Sequence, residues 1–355
     1  MITFPMIPGV EINLFLIIFL SLAAGVISGF VGVGGGFIMT PALIILGFPA
    51  QFAVGTSLIW VMGNSIIGAL RHRRLGNVDI KLGALMMLFS MCGVELGVRA
   101  LNWARDVGLA EAAVLITSIC LLLIVGGYTF WESTRTKAKL DNMIRGQEKL
   151  PVTIDTASIS SVVQRIKIPP VIHFSKSGVT ISLWILLAIG LFAGTLAGFI
   201  GVGGGVIIVP SLIYLVGVPS FTAVGTSLFQ IILPAAFGSI RHTISGNIII
   251  FAAFIMILGS SMGVYFGALV TKYLSEVSMR YVLASTVFVA VLGAILKLIN
   301  IFSESTISWL QYGMTAVTFG GLGLVMSMVV GLFVAAILYK NGKHIPVWIE
   351  SLLTH

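Results

Sequence analysis

Long apolar stretches separated by short polar segments dominate the chain. A membrane-spanning helix needs about 20 apolar residues at a rise of 1.5 Å each. Stretches of this length lie at 12–30, 51–70, 80–100 and 109–130 in the first half and at 179–199, 220–240, 248–270 and 279–299 in the second. The pattern predicts a protein that crosses a membrane many times.

Each half also contains an apolar segment that is too short to cross a bilayer alone. These segments are 37–48 and 206–218, and each follows a "GVGGG" run and contains a proline. Non-helical backbone at membrane depth is tolerated only where protein or a water-filled cavity satisfies its polar groups. We therefore expect two broken or re-entrant helices that converge near the middle of the membrane, as in secondary transporters.

The same motifs occur twice in the same order. Gly29-Phe30 and Pro41 recur 169 residues later as Gly198-Phe199 and Pro210, while "AVGTSL" at Ala53 recurs 170 residues later at Ala223. The chain is thus predicted to be an all-α polytopic membrane protein with two internal repeats, about ten segments and a further C-terminal span. The repeats are inverted if each short segment completes a crossing, and parallel if each is re-entrant. We favour inverted repeats, because the Lys and Arg positions fit them slightly better.

The predicted domains are repeat 1 at 10–131, a cytoplasmic linker at 132–177, repeat 2 at 178–300, and a C-terminal transmembrane segment with a tail at 301–355. The linker is long, polar and basic, which by the positive-inside rule indicates the cytoplasmic side. The last apolar run, 308–339, is long enough for one tilted span or two short elements.

Composition agrees with a membrane location. Hydrophobic residues make up 58% of the chain and charged residues only 9%. The net charge of +8 comes from residues that lie between apolar runs. Topology and anionic lipid explain this charge without a nucleic-acid partner.

The "GVGGG" runs followed by a proline, the "AVGTSL" strings and the Arg-His pairs resemble those of the TauE/SafE sulfite exporter family. The resemblance implies a multi-pass protein of the bacterial or archaeal inner membrane. It also implies a secondary transporter, expected to be an exporter, of small sulfur-containing anions such as sulfite, sulfoacetate or other organosulfonates. A passive anion channel and a transporter of a different small anion are the alternatives, and the residues themselves select neither substrate nor direction.

The glycine runs are the first candidate binding site. They expose consecutive backbone N–H groups before a half-helix, where the helix dipole attracts an anion. Close packing of helices is the alternative explanation. The candidate residues are Gly34, Gly35, Gly36, Gly203, Gly204 and Gly205.

Hydroxyl and amide side chains follow in the next apolar segment of each half. Thr56, Ser57, Thr226 and Ser227 are candidates either to donate to a sulfonate oxygen or to cap a helix. Gln230 lies deeper and needs a polar partner wherever it points.

Two Arg-His pairs, Arg71-His72 and Arg241-His242, recur at the ends of corresponding segments. We expect them to attract anions at the mouth of the pore. The alternative is a positive-inside loop, which explains the first pair without a role in transport.

Glu95 is an acidic residue well inside an apolar stretch, which makes it a candidate for proton coupling. Arg99 lies four residues on, so a structural ion pair on one helix face is the alternative. Tyr265 takes the place of Glu95 in the second repeat.

No His, Cys, Asp or Glu grouping in the sequence has the spacing of a metal site or of a catalytic cluster. We expect no cofactor, no metal and no enzymatic activity. The expected partners are a small anionic substrate, the lipid bilayer and, as a coupling ion, protons.

Overall fold

A computed structural model of the protein describes residues 2–4, 7–144, 160, 163–165, 168–303 and 308–341. Nine helices within these residues are long and apolar enough to cross a membrane. The described strands form two small antiparallel hairpins, in which β1 (Ile2–Phe4) pairs with β2 (Ile7–Ile12) and β3 (Val171–Phe174) pairs with β4 (Val179–Ser182). The protein is an all-α multi-pass membrane protein, as predicted.

The helices before the linker comprise four long ones and one short one, in the order that the apolar pattern predicts. Their bounds are α1 (Leu14–Val31), the short α2 (Gly36–Ile45), α3 (Ala50–Arg74), α4 (Ile80–Asp106) and α5 (Ala110–Ile144). Polar side chains fix two of the starts, since Asn13 accepts a hydrogen bond from the Phe15 N–H at 3.0 Å and Asp79 accepts one from the Leu82 N–H at 3.1 Å.

The second half repeats this order of elements. It contains α6 (Leu183–Ile200), the short α7 (Gly205–Pro210) continued by a π-helical turn (Ser211–Val216), α8 (Ser220–Ile244), α9 (Ile250–Val270) and α10 (Glu276–Phe302). The last apolar run forms α11 (Ser308–Thr315), a π-helical turn (Ala316–Gly320) and α12 (Gly321–Lys340) without a break. This run is one long span rather than two separate elements.

Helices α3 and α8 pack against each other in opposite directions. A Cβ on Gly55 would lie 3.0 Å from the Cβ of His242, and one on Gly68 would lie 2.9 Å from Leu228 Cδ1. From Gly55 to Gly68 the residue number rises along α3, while the contacted residue on α8 falls from His242 to Leu228. The two helices are therefore antiparallel.

The first helix of each half packs in parallel beside the fourth helix of the other half. In α4, Gly93 and Gly97 contact the backbone of α6 at positions 191–195 and 195–199. In the same way, Gly29 of α1 contacts the backbone of Val264 in α9. A methyl group at these glycines would overlap a carbonyl oxygen of the neighbouring helix, which is the close approach that small residues permit in membranes.

The segment predicted as a linker, 132–177, is partly helical. Helix α5 continues to Ile144, beyond the predicted end of the first repeat at 131. The β3–β4 hairpin at the other end of the segment is tied to α4, because Ser177 Oγ donates to Asp79 Oδ2 at 2.7 Å and Lys81 Nζ donates to the His173 carbonyl at 3.2 Å. Residues 145–159, 161–162 and 166–167 and the tail at 342–355 lie outside the described residues.

Candidate anion-binding site

The two glycine runs meet inside the protein. A Cβ on Gly36 would overlap the carbonyl oxygen of Gly201, and a Cβ on Gly205 would overlap the carbonyl oxygen of Val33. The two backbones are therefore in direct contact, and only residues without a side chain fit at this crossing. The structure thus brings the short helices together at their N-terminal ends.

The glycines that precede each short helix have left-handed backbone conformations. Their φ angles are 76° at Gly34, 78° at Gly35, 72° at Gly203 and 83° at Gly204, and other residues adopt such angles only with strain. Neither short helix has a side-chain N-cap. Among the described residues, no group accepts a hydrogen bond from the backbone N–H of these four glycines. The two helix N-termini therefore present free donors and partial positive charge at one place.

Side chains from α3 and α8 line the point where the two glycine runs meet. A Cβ on Gly34 would lie 3.2 Å from Val61 Cγ1 and 3.4 Å from Ile231 Cδ1. A Cβ on Gly203 would lie 2.6 Å from Val61 Cγ1 and 3.1 Å from Ile231 Cγ2. The candidate site thus lies between two antiparallel helices, with one glycine run from each half.

Buried hydroxyl groups without partners surround the site. Ser65 Oγ would lie 3.6 Å from a Cβ on Gly34, and Ser28 Cβ would lie 3.2 Å from one on Gly35. Both serines are fully buried, and neither hydroxyl has a hydrogen-bond partner among the described residues. An unsatisfied buried polar group costs about 1–3 kcal/mol, so native proteins keep few of them. Each of these two hydroxyls is therefore available to donate a hydrogen bond.

The predicted residues Ser57 and Ser227 also lie on this side of their helices. Ser57 is one turn before Val61 in α3, and Ser227 is one turn before Ile231 in α8, so each shares a helix face with the lining residue. Both serines are fully buried, and their hydroxyls are without a partner in the described part of the chain.

Sequence reasoning did not identify Ser28 and Ser65. In the second half the corresponding positions are Ala197 and Ala235. The sequence signal that could have identified them is this difference between the halves, since each serine hydroxyl in the first half is replaced by an alanine in the second.

Thr56 and Thr226 cap helices, but each caps a helix of the other half. Thr56 Oγ1 accepts a hydrogen bond from the Ile249 N–H before α9 at 3.1 Å. Thr226 Oγ1 accepts one from the Asp79 N–H before α4 at 2.9 Å. Each threonine satisfies one of the orphan donors of a helix N-terminus, which ties the two halves together.

Gln230 and its counterpart Trp60 make matching contacts. Gln230 Nε2 donates to Ser90 Oγ at 2.6 Å, and Trp60 Nε1 donates to Ser260 Oγ at 2.9 Å. The Trp60 ring also packs on Gly35, where a Cβ would lie 2.6 Å from it. Gln230 Oε1 has no partner among the described residues, so it keeps one free acceptor.

His72 and His242 are buried instead of lining an exposed pore mouth. His72 Nε2 donates to the Gly29 carbonyl at 3.0 Å, and His242 Nε2 donates to the Gly198 carbonyl at 3.2 Å. These carbonyls lie in the last turns of α1 and α6, where no further helical residue donates to them. The histidines therefore stabilise the helix ends that lead into the glycine runs.

Arg71 and Arg241 each reach toward the same position of the other half, but they find different partners there. The Arg71 guanidinium lies 4.5 Å from the centre of the Tyr265 ring. Arg241 forms an ion pair with Glu95, with Nε and Oε2 2.6 Å apart. Glu95 also pairs with Arg99 at 2.8 Å, as the helical spacing predicted.

The glycine runs and the residues around them are buried. The structure thus shows the candidate site closed to solvent. In the described residues, no three His, Cys, Asp or Glu side chains gather as metal ligands. The chemistry available here is hydrogen bonding to a small anion by backbone N–H groups and hydroxyls.

Comparison with known proteins places these features in a family. The family model "Sulfite exporter TauE/SafE" matches residues 17–295. The chain is 26% identical to the probable membrane transporter protein YunE of Bacillus subtilis over 72% of this chain and 88% of that protein. It is 27% identical to the probable membrane transporter protein YdhB of the same organism over 75% of this chain and 93% of that protein. No solved structure matches this chain.

The family match covers both glycine runs and all the helices that surround them. Together with the nine helices of membrane-spanning length in the described residues, it identifies the chain as a membrane transporter. The chain belongs to the TauE/SafE sulfite exporter family.

Proposed function

We propose that the protein is a secondary transporter that exports small sulfur-containing anions, such as sulfite, sulfoacetate or other organosulfonates, by alternating access. The observation that carries the proposal is the meeting of two glycine runs whose N–H groups are free, beside buried serine hydroxyls that lack partners. The family's description supports the substrate class.

The donors fit the chemistry of a sulfur oxyanion. Sulfite and sulfonates present several oxygen acceptors on one centre, and two helix N-termini with nearby hydroxyls offer donors from several directions. The atoms nearest to the glycine positions of the two runs all belong to uncharged residues, such as Val61, Ile231 and Ser65. An anion that is bound only by partial charges is held with moderate affinity. Moderate affinity suits a transporter, because the anion must be released on the far side of the membrane.

The helix directions support inverted repeats over parallel ones. Helix α3 and its counterpart α8 are antiparallel. Arg71 and Arg241 each lie ten residues beyond the lining residues Val61 and Ile231, about 15 Å along the helix axis. We therefore propose that the two arginines lie at opposite ends of a path through the site, and that one half rocks against the other to open each end in turn.

Flux measurements in proteoliposomes test the proposal. We expect saturable uptake of sulfite or sulfoacetate, faster when the same anion is preloaded inside, because a carrier exchanges substrate across the membrane. Chloride and acetate are matched controls. Flux that neither saturates nor responds to preloading would indicate a channel, and saturable flux of a sulfur-free anion alone would overturn the substrate class.

A further inference from the structure

Two structurally equivalent arginines are in unequal states. Arg241 is held by both oxygens of Glu95, with Nε to Oε2 at 2.6 Å and Nη2 to Oε1 at 2.9 Å. A bidentate contact of this kind is among the strongest that a guanidinium makes. The anion-binding capacity of Arg241 is therefore occupied by the protein itself.

Arg71 has no such carboxylate. Its guanidinium lies over the ring of Tyr265, which stands where the other half has Glu95. Arg71 forms no ion pair with any described residue. Its buried Nε also has no hydrogen-bond partner among those residues. A cation over an aromatic face keeps its donors available, so Arg71 remains able to bind an anion.

We propose that Glu95 is a tethered anion that occupies the Arg241 end of the path in place of substrate, whereas Arg71 is an open anion-binding site at the other end. The inference rests on the proposed function in one respect, namely that substrate passes both arginines. The two entrances of the transporter then differ in their affinity for the same anion.

The difference follows from competition. Because Glu95 is fixed on α4 beside Arg241, its carboxylate acts as an intramolecular ligand, at an effective concentration in the millimolar range or above. Substrate must displace Glu95 to reach Arg241, but it meets no carboxylate at Arg71. We expect the KM for entry at the Arg241 end to exceed the KM for entry at the Arg71 end by about tenfold or more.

The two ends also have an orientation. Arg71 is followed by Arg73 and Arg74, and such clusters lie on the cytoplasmic side. The open site then faces the cytoplasm and the occupied site faces outward. This arrangement favours capture inside and hinders rebinding outside, although the final distribution of substrate still depends on the gradients.

Transport in membrane vesicles of both orientations tests the proposal. Glu95→Gln keeps hydrogen bonding to Arg241 but removes the charge, so the KM for sulfite at the Arg241 end is expected to fall about tenfold while the KM at the other end stays constant. Tyr265→Glu installs the missing carboxylate opposite Arg71, so it should raise the KM at that end instead.

Arg99→Gln is the matched control, because it leaves the pair between Glu95 and Arg241 in place. Its KM at both ends should equal that of the unmodified protein. Equal changes at the two ends in the Glu95→Gln variant, or no change at either, would overturn the proposal.

A binding measurement separates this inference from the proposed function. Calorimetric titration of the purified protein with sulfite should show one more bound anion in Glu95→Gln and one fewer in Arg71→Gln. If these stoichiometries are found but the protein transports no sulfite, the proposed function is refuted, while the assignment of Glu95 as a tethered anion is retained. Unchanged stoichiometry in both variants would refute the tethered anion even if transport is intact.

Discussion

Ser65→Ala removes a hydroxyl beside the first glycine run without removing a hydrogen bond between described residues. Ser65 is fully buried, its Oγ has no partner in the described residues, and it would lie 3.6 Å from a Cβ on Gly34. If this hydroxyl donates to a bound anion, the lost hydrogen bond to a charged group is worth about 1.5–3 kcal/mol. At 1.4 kcal/mol per factor of ten, kcat/KM for sulfite should fall by about 10- to 150-fold.

The expected effect on stability has the opposite sign. A buried hydroxyl without a partner costs about 1–3 kcal/mol of desolvation, and alanine relieves that cost. The variant should unfold at the same temperature as the unmodified protein or at a higher one. Loss of transport together with unchanged or increased stability would be the signature of a binding group.

Proteoliposome flux and thermal unfolding in detergent measure the two quantities. Ser118→Ala is the control, because Ser118 is also a buried serine, but its Oγ donates to the Val114 carbonyl in the same helix at 2.7 Å. The control should transport normally. Normal transport by Ser65→Ala would refute its role in binding, and a lower unfolding temperature would show that the hydroxyl has a structural partner.

Thr226→Val should destabilise the protein by about 1–3 kcal/mol, because it leaves the N–H before α4 unsatisfied, and a thermal unfolding curve checks this. Gly97→Ala should lower the unfolding temperature through a clash of about 1–3 kcal/mol with α6, whereas Gly127→Ala, which has open space, should not. Single cysteines at Arg71 and Arg241, in a chain without the native cysteines, should react with an impermeant thiol reagent from opposite sides of the membrane; labelling from one side only would contradict inverted repeats.

The long helices could be predicted from the sequence because a membrane restricts the backbone so strongly. Every polar backbone group in lipid needs an internal partner, so apolar length alone almost defines a helix. Local spacing also predicted one ion pair, because Glu95 and Arg99 lie four residues apart on a helix, and the two side chains are in contact. The helical end of α5 was missed, because polarity after residue 131 marks the end of the membrane and not the end of the helix.

Contacts between distant residues could not be predicted in this way. The sequence offered Thr56 and Thr226 as caps or as substrate ligands, and only packing shows that each caps a helix of the other half. It placed His72 at the mouth of a pore, whereas the structure buries it against the Gly29 carbonyl. These outcomes depend on which helices are neighbours, and the apolar period does not encode that choice.

By itself, the sequence determined the membrane class, the long helices and the positions of both glycine runs, because these follow from hydrophobic length and from glycine's freedom to adopt positive φ angles. Only the tertiary structure decided that the two runs touch, that serine hydroxyls beside them lack partners, and that Arg241 is neutralised while Arg71 is not. The physical reason is that these properties belong to pairs of groups far apart in the chain. Their distances are set by how helices pack, and not by the residues next to them in sequence.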